Sequence, residues 1–170
     1  MKAVNHARRL TASETFNVMG PTVELLTGPT ENDHDSCLMK GTIPVGGVIP
    51  LHSHADPETF IVVSGDAEAL SKTLDSFAWI PLGPGDVFHV PGNAPHAFRN
   101  RGPAPATMVI LSTSKIGRFF REIGTRDEKP VRPPSPEMVE RFLRTAARYG
   151  YWNATPEENA RVGIALVPPG

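Results

Sequence analysis

The sequence predicts an all-β sandwich or barrel followed by a helical extension, and three observations carry that expectation. Between residues 23 and 112 the chain breaks into short apolar or alternating runs, each bounded by Gly, Pro, Asn or Asp. Gly 15 and Pro 18 make up about a fifth of the 170 residues, above average usage, which favours short elements and tight turns over long helices. After Ser112 the apolar residues recur at helical spacing instead. The expected organisation is an N-terminal arm over 1–22, a β-barrel domain over 23–113 and a helical C-terminal extension over 114–170.

Strands are expected at 23–26, 37–42, 48–53, 58–64, 67–71, 77–82, 87–90, 96–100 and 106–112. The residues between them are turn formers. Pro44 with Gly46 and Gly47, then Ser64-Gly65-Asp66, then Gly83-Pro84-Gly85-Asp86, then Pro91-Gly92-Asn93 stand where a strand must reverse. In the extension, Ile116, Phe119, Phe120 and Ile123 lie on one face of a helix over 114–123. Residues 127–134, with three prolines, read as an extended linker because proline blocks helix and sheet pairing alike. A second helix follows, with Ser135 as its cap, Pro136 at its first position, an apolar stripe of Met138, Val139, Phe142, Leu143, Ala146 and Tyr149, and a stop at Gly150. Thr155-Pro156-Glu157-Glu158 offers a capping box for a last short helix ending near Gly163.

Composition narrows the function. Lys+Arg 17 against Asp+Glu 18 leaves a formal net charge of -1, so nothing global draws the chain to nucleic acid or an anionic membrane. No helix-turn-helix pattern precedes the barrel. No run approaches the roughly 18 apolar residues of a membrane span, and the N-terminus lacks the apolar stretch of a secretory signal. Cys37 is the single cysteine, which excludes an intramolecular disulfide and a cysteine-rich zinc cluster. A soluble, cytoplasmic protein is expected.

Of six histidines, His52 and His54 stand two apart in an expected strand and therefore share a face, which makes them a chelating pair. Glu58 opens the next strand after a turn at Asp56-Pro57, and His96 opens another after the turn at 91–95. Brought together, three imidazole nitrogens and one carboxylate oxygen suit a divalent transition metal with positions left for water or substrate. A His-x-His pair by itself is more often a surface feature. The wider spacing changes that: Gly46, five residues, His52, one, His54, three, Glu58, six, Gly65 reproduces the first cupin motif in full. Gly85, five residues, Pro91, then His96, three, Asn100 resembles the second, with Asn93 where that motif has Gly. Asn tolerates a left-handed backbone, so the turn before His96 is expected to form.

The resemblance covers about 41–112 and implies a single-domain cupin, a jelly-roll β-barrel, as the strand count independently suggests. It implies His52, His54, Glu58 and His96 as ligands of one divalent ion per chain, whether Fe, Mn, Ni, Cu or Zn. In general pattern the chain resembles quercetin-dioxygenase-like cupins, which cleave flavonols, and by that analogy Glu58 is the ligand most able to detach and act as a catalytic base. Phe60 and Val62 share the face of Glu58, and Phe98 and Asn100 that of His96, so these four are the expected substrate-binding lining. A mostly apolar lining suits an aromatic or other apolar molecule, and the motifs lack the Arg or Lys cluster a sugar phosphate would need. The expected function is a metal-dependent dioxygenase; the alternatives are a non-catalytic ligand-binding module and a redox-neutral lyase or isomerase.

Other residues carry weaker signals. His89 is either a proton shuttle facing inward or, as the default, a packed or solvent-facing side chain. Trp79 faces the barrel interior or a partner. His6 and His34 read as solvated loop residues, Cys37 as a small buried hydrophobe, and Arg141, Arg144 and Arg148 as a solvated helix face. The extension is able to cover an exposed sheet edge, and a homodimer is expected, with the N-terminal segment or the C-terminal helices crossing to the partner.

Overall fold

Turn residues and strand alternation together build two antiparallel sheets. The computed structural model describes residues 14–72, 76–126 and 134–166. Its elements are β1 (Glu14–Asn17), β2 (Thr22–Leu25), β3 (Ser36–Ile43), β4 (Val48–Ser53), β5 (Glu58–Ser64), β6 (Ala67–Lys72), β7 (Phe77–Leu82), β8 (Val87–Val90), β9 (His96–Arg99), β10 (Ala106–Thr113), α1 (Ser114–Ile123), α2 (Pro136–Tyr149), β11 (Trp152–Asn153) and α3 (Pro156–Arg161). One sheet has the order β1-β2-β3-β10-β5-β8 and the other β11-β4-β9-β6-β7. From β3 to β10 the chain crosses between the sheets at every step except the β6–β7 hairpin, as in a jelly roll, so β4 and β5, adjacent in sequence, lie on opposite walls of one barrel.

The expected strands all form, within a residue of their expected ends. Two further strands were not expected. β1 lies in the supposed N-terminal arm and forms a hairpin with β2, with Met19 and Gly20 in positive-φ turn conformations between them. The boundary drawn at 22/23 therefore cuts β2; residues 1–13 lie outside the described residues, as does most of the expected linker at 127–134. β11 is only a two-residue pairing with β4, too short for any periodic signal. The three helices appear where expected, with Ser135 capping α2 and a complete Thr155–Glu158 capping box on α3.

The interior is filled from both sheets. Phe60 and Val62 of β5, Met108 and Ile110 of β10 and Met39 of β3 meet Ala69 of β6 and Phe98 of β9 in one core. The β5–β6 turn passes so close to the neighbouring loop that a Cβ on Gly65 would lie 2.2 Å from the Pro105 carbonyl oxygen, at a φ of +71° that other residues resist. The second sheet is apolar outside as well: Leu51, Leu70 and Ala97 form a separate cluster with Ile164. This cluster explains Trp79, which does not face the barrel interior. It points outward beneath the chain's own C-terminal segment, where its indole N–H donates to the Val162 carbonyl at 2.8 Å and the Arg99 guanidinium lies 3.8 Å above its ring.

The extension packs on the barrel of the same chain. α1 packs on β3 and β10, and the free edge of β4 is covered by the strand β11, where a helix was expected. The basic face of α2 is not simply solvated: Arg141 donates to the carbonyls of Glu122 and Ile123 at the end of α1, and Arg148 pairs with the Glu122 carboxylate. The Arg141 bonds satisfy carbonyls that a helix end leaves without partners. All three arginines are nonetheless exposed, as expected of a solvated face, and Arg144 lies 3.7 Å from Glu140. Cys37 is fully buried on β3, as expected of a small hydrophobe, and burial raises its thiol above the usual range.

Candidate metal centre

The site begins with an irregularity in β4. Ile49 pairs with Phe98 and His52 with His96, so Pro50 and Leu51 on β4 together oppose Ala97 alone on β9. This bulge puts Ile49 against the barrel core and Leu51 against the outer cluster, and turns His52 back to the side of His96. Strict alternation from Ile49 would have aimed His52 outward. His54 follows just beyond the end of β4, Glu58 opens β5 after the Asp56-Pro57 turn, and His96 opens β9.

The turn that delivers His96 presses on the one that delivers His54. Asn93 adopts φ +66°, as expected of a glycine substitute, and its N–H donates to the His54 carbonyl at 2.6 Å. A Cβ on Gly92 would stand 2.4 Å from the Ala55 carbonyl oxygen. The two motifs are thus locked to each other through backbone, and glycine is the residue that permits the approach.

The structure brings all four expected ligands together. Ligand nitrogens of His52, His54 and His96 lie within 4.8 Å of one another, and Glu58 Oε2 is 3.2 Å from His96 Nε2 and 3.3 Å from His54 Nε2. His54, Glu58 and His96 are buried; His52 is half-buried. Every ring is oriented from behind by a backbone carbonyl: Nδ1 of His52 lies 2.8 Å from the Pro50 oxygen, that of His54 2.8 Å from the Asp56 oxygen and that of His96 2.9 Å from the Ala94 oxygen. A carbonyl only accepts, so each Nδ1 holds the hydrogen and each Nε2 offers a lone pair to the centre.

The electrostatics agree with a cation-binding set. Burial lowers His52 to about 3, reinforced by His96 and His54. Burial also opposes ionisation of Glu58, but the His54 and His96 imidazoles outweigh it and hold the carboxyl at about 2. Burial works against charge on His54 as well, yet the Glu58 carboxylate prevails and pushes it up. His54 Nε2 is buried and lacks a hydrogen-bond partner among the described residues. Converging lone pairs and an anionic oxygen with no hydrogen between them repel unless a proton or a metal ion joins them, so these residues fit a divalent ion.

The expected lining divides. Phe98 is 1% exposed, with its ring centre 6.2 Å from that of His96 and 4.5 Å from that of Phe60, so these two aromatics form the apolar wall beside the histidines. Val62 is core, one strand step deeper. Asn100 does not belong to the lining. Its amide donates to the carbonyls of Ile43 and Ala104 and accepts from the Gly102 N–H, tying two loops together beyond the far end of β9 from His96. Parity gave its face correctly but not its distance, about 13 Å along a strand rising some 3.3 Å per residue. His89 is exposed and 2.9 Å from the Thr59 hydroxyl on the outer face, which removes it as an inward proton shuttle; His34 is exposed, and His6 lies outside the described residues. Sequence reasoning missed Asp56 and Tyr151. Asp56 is buried between two ligands, and the Tyr151 ring lies 5.1 Å from that of His54. Only the position of Asp56 inside the first motif could have pointed to it.

Residues 39–112 match the family model of the cupin domain. Among solved structures, the polyketide cyclase RemF from Streptomyces resistomycificus is similar over 65% of this chain and 80% of its own, at 16% identity and a TM-score of 0.57. An RmlC-like cupin from Shewanella frigidimarina is similar over 67% of this chain and 95% of its own, at 18% identity and a TM-score of 0.52. No curated protein sequence matches the chain. At these identities the structural likeness speaks for the fold alone. The family match, the two motifs and the two-sheet barrel agree in making residues 39–112 similar to the cupin domain.

Proposed function

We propose that the protein is a metal-dependent dioxygenase acting on a small aromatic or other apolar molecule, with one divalent transition ion held by His52, His54, Glu58 and His96. The observation that carries this reading is the convergence of three Nε2 lone pairs and the Glu58 carboxylate beside the Phe98–Phe60 wall. A redox-active ion bound there supplies dioxygen and substrate activation. The chain's own residues do the rest. The carbonyl-anchored rings of His52, His54 and His96 keep their geometry without reorganising, and Phe98 and Phe60 exclude water and favour a flat apolar ligand. By analogy with related cupins, Glu58, the one carboxylate of the set, would take a proton from a substrate hydroxyl once the imidazoles that depress its pKa are engaged elsewhere.

The test is elemental analysis of protein purified without added metal or chelator, followed by oxygen-electrode assays with Fe(II), Mn(II), Ni(II) and Cu(II) against flavonols and other small aromatics. A near-stoichiometric redox metal and substrate-dependent oxygen uptake are expected. Zinc or no metal, with no uptake after any reconstitution, would replace this reading with a ligand-binding module or redox-neutral chemistry.

We also propose a homodimer. The C-terminal helices are used within the chain, whereas Ile61, Val63, Val87 and Leu111 remain exposed on the outer face of the first sheet, the kind of apolar surface a second copy covers. Light scattering at micromolar concentration should give twice the chain mass of 18.4 kDa, and a monomer throughout would refute it.

A further inference from the structure

The residue connecting the metal centre to the C-terminal extension is Tyr151. The Asp56-Pro57 turn joins His54 to Glu58, so the conformation of that turn sets how two ligands approach each other. Its backbone already serves the site, because the Asp56 carbonyl holds His54 Nδ1 at 2.8 Å. Its side chain serves the turn: one carboxylate oxygen accepts from the Thr113 hydroxyl and the other from the Tyr151 hydroxyl at 2.8 Å, while Ser112 Oγ donates to the adjoining Pro57 carbonyl at 2.8 Å. Ser112 and Thr113 belong to the barrel. Tyr151 comes from outside it.

Two independent anchors hold Tyr151. Its N–H donates to the Ala146 carbonyl at the end of α2, and the next residues pair with the ligand-bearing strand, Trp152 with Ser53 and Asn153 with His52. Tyr151 thereby clamps the 54–58 turn from one side while β11 clamps β4 from the other.

We propose that Tyr151 is a positioning residue of the metal centre, acting through Asp56 to fix the turn that aims His54 and Glu58. This inference rests on the metal-binding reading above. A partner that orients a metal ligand from behind contributes roughly 10–100-fold in affinity, so Tyr151→Phe, which keeps the ring and deletes the hydroxyl, should weaken Co(II) binding by about 10-fold or more. Tyr149→Phe is the matched control: Tyr149 stacks in the same aromatic cluster, 5.7 Å from Tyr151, but its hydroxyl reaches Glu122 and not the turn.

The experiment is chelator competition with Co(II) on the full chain, with the visible absorption of the bound ion as a second readout and the melting temperature of the metal-free protein as a third. Weaker binding and an altered Co(II) spectrum in Tyr151→Phe, with both unchanged in Tyr149→Phe, is the expected result. A lower metal-free melting temperature in Tyr151→Phe with wild-type affinity and spectrum would reduce Tyr151 to a packing role and overturn the proposal. Failure of the wild type to bind Co(II) would instead overturn the metal reading, and this inference with it.

Discussion

His54→Ala and His96→Ala are each expected to lower the affinity for a divalent transition ion by more than about 100-fold, beyond the range of a merely orienting partner, while the barrel stays folded. The effect is large because each side chain contributes a complete donor: a buried ring, anchored through Nδ1 by a carbonyl, with Nε2 aimed at the shared centre. Either removal also leaves Glu58 facing fewer imidazoles, which weakens the field that holds its carboxyl at about 2. The cost in stability should stay within the common range of about 0.5–3 kcal/mol. Bound metal measured after dialysis, with circular dichroism as the check on folding, decides the matter. Folded variants that both retain wild-type metal content would remove the proposed site.

The same titration repeated against pH carries a sign. His54 is pushed up by the Glu58 carboxylate, so over the range where it is protonated the ion must displace a proton, and affinity rises with pH until that proton is gone. His52 at about 3 and Glu58 at about 2 offer no such competition near neutrality.

Phe98→Ala is expected to be the most damaging of the apolar substitutions at the site, costing about 3–5 kcal/mol. For a chain of this size that corresponds to a fall in Tm of roughly 6–20 °C. Phe98 is 1% exposed and lies between Phe60, at 4.5 Å, and Phe88, at 5.8 Å, so truncation opens a void that neither neighbour can fill without leaving its own contacts. Denaturant unfolding of the metal-free protein should show a lower midpoint with an unchanged slope. A loss below about 1 kcal/mol would mean that the wall beside His96 collapses readily, and that Phe98 is a pliable lining and not a fixed one.

Much of the site was legible because its chemistry is written in local spacing. His52, His54 and Glu58 stand within seven residues, and the turn signal at 91–95 announces His96 at the start of a strand. Asn93 shows the same economy: its tolerance of positive φ was enough to foresee that the second motif would close without its usual glycine. The lining was less legible. Parity along β9 assigns Phe98 and Asn100 to one face, but a face runs the length of the barrel, and the hydrogen bonds that draw Asn100 into the opposite loops come from Ile43, Gly102 and Ala104. The bulge in β4 breaks parity between Ile49 and His52, and the only mark of it among the intervening residues is Pro50, which a sheet tolerates at an edge or a bulge.

Strand, turn and helix order, the caps of α2 and α3 and the four convergent ligands follow from the sequence by itself, because each depends on neighbours a few residues apart or on a motif of set spacing. The tertiary structure decided what depends on contacts far apart along the chain. It set β1 and β11 into the sheets, turned Trp79 outward beneath the C-terminal segment, put Arg141 and Arg148 on the end of α1 and carried Tyr151 across 95 residues to Asp56. The physical reason is that a two-residue strand or a single phenol has no period of its own. Its place is chosen by which backbone edge and which buried carboxylate remain to be satisfied once the barrel has closed.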